Sequence, residues 1–248
     1  MITKTLDTLK GNLNITIPTE LKELQLGQLI TMQTTTAMTD LDAIHILSGI
    51  PVKDLKQIRN YNDLQQFNEH VSILVSQIKS LYNNVRIPKH VKIFFNNSEV
   101  TVPVMKNLSI EPAGAFMAAR DIIADEIKSH IDQHGEEHWQ EHFNPSLQAC
   151  CQILAHYFYC PVSHAPYDEY QASLFEEQVK LLPVTDALPI ARYFFLSYPN
   201  LSKQKTNFWQ RLLRRWNNGQ VLKSLSGFAL STRSTHWQGA MSPNGQPL

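Results

Sequence analysis

At 248 residues, with 43% hydrophobic and 18% charged residues and only 9 Gly, the chain is sized for one large domain or two small ones. That composition excludes a disordered, collagen-like or loop-rich all-β protein, and no apolar run approaches the roughly 18 residues that span a bilayer. The net charge of zero hides a split: residues 1–186 carry 14 Lys and Arg against 22 Asp and Glu, a net of −8, whereas 187–248 carry 8 basic residues and no acid.

The opening MITKTLDTLKGNLN lacks the apolar core of a secretory signal, which predicts synthesis in the cytoplasm. Three Cys, two of them adjacent, make no disulfide framework, so reduced thiols are expected. A short alternating strand, Ile15-Thr16-Ile17, is stopped by Pro18, which has no N–H for a ladder. Leu24, Leu26, Leu29, Ile30 and Met32 recur at helical spacing. Ile44, Ile46 and Leu47 lead to a helix stop at Gly49, and Pro51 begins a further helix carrying Leu55 and Ile58.

Three of these stretches carry a resemblance. The strand ending in Pro (Ile15 to Pro18), the L-x-L-G-x-L helix start (Leu24 to Leu29) and the I-L-S-G-I-P-x-x-x-L-x-x-I turn (Ile46 to Ile58) resemble the tail assembly chaperones of bacteriophages and prophages, over the first quarter of the chain. The resemblance implies a protein that binds an aggregation-prone tail component and holds it until polymerisation.

One helix is predicted over 61–82, with Leu64, Phe67, Val71, Leu74, Val75, Ile78 and Leu81 at three- and four-residue spacing and Asn83-Asn84 ending it. Residues 91–95 and 99–103 flank Asn96-Asn97-Ser98, a hairpin signature that the strand at 15–17 could join. Ile15-Thr16-Ile17-Pro18 leading to Leu24 and Leu26 is echoed by Val100-Thr101-Val102-Pro103 leading to Leu108 and Ile110. Either a common turn recurs or the chain has two similar halves, the second opening near residue 90.

Pro112 stands early in a helix carrying Phe116, Met117, Ala119, Ile122, Ile123 and Ile127, interrupted at Gly135. Pro145 opens LQACCQILAHYFYC, apolar on nearly all sides and so central to the core, with Cys160-Pro161 as its end. Tyr170, Leu174, Phe175, Val179 and Leu182 form another helical stripe. Thr185 or Asp186 can cap the next helix, which puts Pro189 in its first turn and turns Ile190, Ala191, Phe194, Phe195 and Tyr198 to the core. The order YDEY, Phe175, Leu182-Pro183, DAL, ARYFF is similar to the helical part of phage tail-assembly proteins.

From residue 203, Phe208, Trp209, Leu212, Leu213 and Trp216 fall on one helical face, with Arg211 and Arg214 opposite and Arg215 at the edge. This segment could cover the protein's own core, lie in a partner's groove, or meet phosphates with Trp209 or Trp216 stacked on bases. Residues 217–248 have little periodicity and read as an extended arm.

Two clusters could carry chemistry. His130, His134, His138 and His142 are spaced by four, and imidazoles on one helical face can chelate a metal. Gly135 interrupts that face and stands where H-E-x-x-H needs its Glu, so a solvated surface is the favoured reading. Cys150, Cys151, His156, Cys160 and His164 lack the C-x₂₋₄-C spacing of structural zinc, which favours core cysteines. Ser48-Gly49 is not a G-x-S-x-G elbow, and no glycine-rich phosphate loop occurs.

The expected fold is mainly α with a small β-hairpin element, an α+β arrangement of a helical body and an extended basic C-terminal arm. Its segments are 1–89, 90–202 and 203–248. The expected function is non-enzymatic bacteriophage assembly, with no cofactor or metal. Partner binding falls to Phe208, Trp209, Arg211, Leu212, Arg214, Arg215 and Trp216. Expected partners are phage tail or neck proteins, and an acidic protein surface or DNA for the arm; no membrane contact is expected, and oligomers are. The place of action is the host cytoplasm during assembly, or the virion. The alternatives are a virion-resident neck, ring, tail or packaged protein, and a metal-dependent enzyme using the His130–His142 region.

Overall fold

The structure is a computed structural model that describes residues 1–81, 86–105, 111–138 and 144–201. It is mainly helical, with two small antiparallel hairpins. The first hairpin joins β1 (Ile2–Thr8) to β2 (Gly11–Ile17), pairing Ile2 with Ile17 and Leu6 with Leu13. Ile15, Ile17 and Leu6 are buried on its inner face, while Thr3–Thr16 and Thr5–Asn14 side chains bond on the outer face at 2.9 and 2.6 Å. Thus the strand at 15–17 is longer than its apolar residues indicated. It pairs with β1 and does not join the second hairpin, a correction to the sequence reading.

A 3-10 turn (Leu21–Glu23) leads to α1 (Leu26–Thr34), then α2 (Asp40–Ser48), the short α3 (Val52–Leu55) and α4 (Tyr61–Leu81). Thr39 caps α2, accepting from Asp42 N while the Asp42 carboxylate returns to Thr39 N, a reciprocal box at the helix start. Gly49 closes α2 in the left-handed region at φ 74°, where a Cβ would be strained. Pro51 caps α3, and Ile58 lies beyond it, bridged to Thr8 rather than helical.

The second hairpin joins β3 (His90–Phe95) to β4 (Ser98–Pro103). Asn96 and Asn97 both take positive φ, 48° and 61°, as a tight turn of this twist needs. Val91, Ile93 and Val102 face the core. Both hairpins end at a proline and give way to helices; residues 106–110 of the second copy of the echo lie outside the described residues.

The remaining helices are α5 (Ala113–His138), α6 (Leu147–Ser163), α7 (Glu169–Leu174), α8 (Glu176–Val179) and α9 (Val184–Leu201). α6 is buried on nearly every side, and α1, α5, α7, α8, α9 and the second hairpin pack on it. Pro161 does not end α6. The helix runs on to Ser163, because Val162 is buried and His164, at φ 55°, returns its N–H to the Cys160 carbonyl.

Other corrections concern helix phase. Met117 is exposed on α5, and Tyr170 and Leu174 are exposed on α7. The buried series there is Ala172, Phe175, Val179 and Leu182, split between two short helices. Pro189 falls in the second turn of α9, not the first. The bonds Leu26 N to Leu182 O (2.8 Å) and Val184 N to Leu24 O (2.9 Å) fix the backbone on either side of Pro183, so α9 starts at Val184. Ile190, Ala191, Phe194 and Phe195 are buried; the side chains of Val75, Leu81 and Tyr198, with Asn83-Asn84, lie outside the described residues.

One hydrophobic cluster runs from Leu6 to Leu196 and so includes both 1–89 and 90–202. No described helix is long and apolar enough to cross a membrane.

Candidate functional site

The seven residues expected to bind a partner, Phe208, Trp209, Arg211, Leu212, Arg214, Arg215 and Trp216, lie outside the described residues, as does the rest of 202–248. The described residues do place the two clusters that could carry chemistry.

On α5, Gly135 leaves the helical region (φ 78°, ψ 164°), so His130 and His134 precede a kink that His138 follows. His134 and His138 are exposed; His142 lies outside the described residues. His130 is half-buried, with Nδ1 2.9 Å from the Glu126 carbonyl and Nε2 accepting from Asn144 N at 3.4 Å. The Glu126 carboxylate accepts from Ser146 N at 2.7 Å and from its hydroxyl at 3.1 Å. These polar side chains therefore hold the turn into α6. Among the described residues, no three His, Cys, Asp or Glu side chains gather as a metal set.

On α6, Cys150 and Cys151 are buried, and burial pushes both thiols up to about 12, so neither is a thiolate near neutrality. His156 is buried too, with Nδ1 2.9 Å from the Tyr167 hydroxyl. Its pKa is lowered by burial, with the Glu169 carboxylate acting in the opposite direction. The Tyr167 ring lies against the α5 backbone at Gly114, where a Cβ would come within 2.5 Å of it. This pair ties α5, α6 and the approach to α7 together.

The next residue of α6, Tyr157, belongs to a second polar group. The Tyr157 hydroxyl donates to the Met105 carbonyl at 3.1 Å and accepts from the Met105 N–H at 2.6 Å. Nearby Glu111 has one carboxylate oxygen, Oε1, buried with no hydrogen-bond partner, and burial raises its pKa to about 7.

The surface holds a feature that the sequence reading missed. Tyr170 and Leu174, 69% and 54% exposed, stand four residues apart on α7 and therefore side by side. Met117, 52% exposed, is three residues beyond Gly114 on α5. Between 168 and 177 the chain adds Asp168, Glu169, Glu176 and Glu177 and no base. The available signal was phase: 172, 175, 179 and 182 form one register, and 170 and 174 belong to another. Exposed apolar side chains and carboxylates therefore stand close together in sequence along α7 and α8. No family model, no curated protein and no solved structure matches this chain.

Proposed function

We propose that this chain is a non-enzymatic assembly protein of a bacteriophage tail, most like a tail assembly chaperone. It holds a tail component through apolar surface that includes the basic, Trp-bearing segment 205–216. The observation that supports this reading is that the three stretches carrying the resemblance, apart in sequence, meet in one packed unit. β2 and α1 both pack on α2, and α2 packs on α3. Gln28, inside the L-x-L-G-x-L start, donates to the carbonyls of Ile46 and Leu47 at 3.3 and 3.0 Å. His45 Nδ1 lies 2.7 Å from the Ile50 carbonyl, bracing the turn at Gly49. The three stretches therefore form one local unit, as a shared motif would require.

Partner capture fits the charge split, because a segment without carboxylates is attracted to acidic surfaces and its binding is weakened by salt. The test is affinity purification of the tagged full chain from phage-producing cells, with mass spectrometry of both the eluate and finished particles. A tail component in the eluate, with the chain absent from particles, is the expected result. An eluate without any tail component overturns the proposal, and stoichiometric presence in particles replaces it with a virion-resident role.

A further inference from the structure

His164 to Tyr167 are a short strap between the end of α6 at Ser163 and Asp168, the cap of α7. Both ends of the strap are fixed. His164 N donates to the Cys160 carbonyl at 3.0 Å, and Asp168 Oδ1 accepts from Gln171 N at 2.8 Å. Its large side chain, Tyr167, is held twice. The hydroxyl meets Nδ1 of buried His156 at 2.9 Å, and the ring lies on the α5 backbone at Gly114. A Cβ at Gly114 would stand 2.5 and 2.6 Å from two ring carbons, so the ring has no room to move toward α5. The motion left to it is outward, with the strap.

Neutral His156 satisfies the phenol in either tautomer: a bare Nδ1 accepts the O–H, and a protonated one donates to the oxygen. Protonation of the ring places a charge at a site 7% exposed, where the hydrogen-bond partner is an uncharged phenol. A buried charge without an ionic partner is costly. Among the described residues the charged group acting on His156 is Glu169, in the first turn of α7, which favours the charged ring. Glu169 is exposed, so water screens it, and burial is the larger of the two effects. Cys160 on α6, with Asp168 and Glu169, acts on Tyr167.

We propose that the His156–Tyr167 pair is an acid-released latch: protonation of His156 frees Tyr167 from its seat between α5 and α6, swings out the strap and loosens the start of α7 while the core around α6 stays folded. Opening lets water reach the imidazolium, which removes the cost of burying it. The latch is independent of the phage assembly reading.

The experiment is NMR on the full chain from pH 7.5 to pH 5, following the His156 ring and amide exchange corrected for its intrinsic pH dependence. The reporting amides are Gln171, Ala172 and Phe175, which close the first turns of α7. Their protection should fall from about pH 6.5 downward and level off where the His156 ring finishes titrating. The total loss should be about tenfold for each pH unit by which the ring's midpoint lies below 6.5. Amides around Ile153 and Leu154, in the buried middle of α6, should keep their protection. Glu169→Gln, at an exposed position, should move the ring's midpoint down, and His156→Gln should abolish the acid response of α7. Protection in α7 that does not change with pH would overturn the proposal. An equal loss in α6 and α7 would overturn it too, since acid would then be unfolding the whole body. So would a loss in α7 that does not follow the His156 titration, a comparison made in the unaltered chain and independent of whether His156→Gln folds.

Discussion

At the scale of single residues, His156 and Glu111 pull stability in opposite directions with pH. His156 is held neutral by burial, so its folded pKa lies below the ordinary value near 6.5. Its contribution is complete above that value and is lost as pH falls through the lowered folded pKa. Glu111 is the converse: burial raises it to about 7, so the fold favours the protonated carboxyl. Its contribution is present below the unfolded value near 4.5 and is lost as pH rises through about 7. Replacing Glu111 with Gln removes the charge while keeping the shape. The melting temperature should therefore rise more at pH 8 than at pH 5, and an equal change at both would contradict the assignment. In a matched variant, Tyr167→Phe leaves the His156 nitrogen without its 2.9 Å partner and should cost about 1–3 kcal/mol by urea titration.

At the scale of elements, what was legible in the sequence was what local chemistry decides. The Asn96-Asn97 turn, the α4 stripe, the centrality of α6 and the stop at Gly49 all follow from side chains within a few residues. Gly49 gives a direct check. Its φ of 74° is strained for a Cβ, yet nothing lies within 4 Å of where that Cβ would stand. Gly49→Ala should therefore cost about 1 kcal/mol from backbone conformation alone, and Gly49→Asn less, with the urea midpoint shifting at constant slope. A much larger loss would mean that the turn packs more tightly than it does here. What was not legible depended on distant partners. β1 has one buried side chain, Leu6, among Thr, Lys and Asp, and is a strand because β2 pairs with it. Pro161 continues α6 because of Val162, and α9 starts early because α1 bonds to it. Tyr170 and Leu174 fall into one stripe with Phe175, Val179 and Leu182 because the short break between α7 and α8 changes the helical phase, which period counting carries straight through. The expected partner-binding residues, 208–216, were read from spacing alone and lie outside the described residues.

At the scale of the whole molecule, the two parts of the chain are joined by main chain as well as by apolar contact. Leu26 N and Gly27 N donate to the carbonyls of Leu182 and Lys180, each at 2.8 Å, and Val184 N returns a bond to Leu24 O. This junction sets the first turn of α1 against the end of α8 and the start of α9, so burial of Leu24, Leu26, Leu182 and Val184 depends on both sides being in place. Gly27 is where the junction is tightest: a Cβ there would lie 3.0 Å from the Lys180 Cβ and 3.2 Å from its carbonyl oxygen. On an exposed helix, Gly→Ala would gain up to about 1 kcal/mol of helix propensity. Here the added methyl must move a backbone carbonyl that accepts a bond from the same residue. Gly27→Ala should therefore destabilise, by about 1–3 kcal/mol as an overpacked core change does. Because one core continues through the junction, the loss should be global: amide exchange under native conditions should speed up by the same factor in α2 as in α6. Faster exchange confined to residues 21–55, with α6 unchanged, would show that the two parts unfold separately and that the shared core is not one cooperative unit.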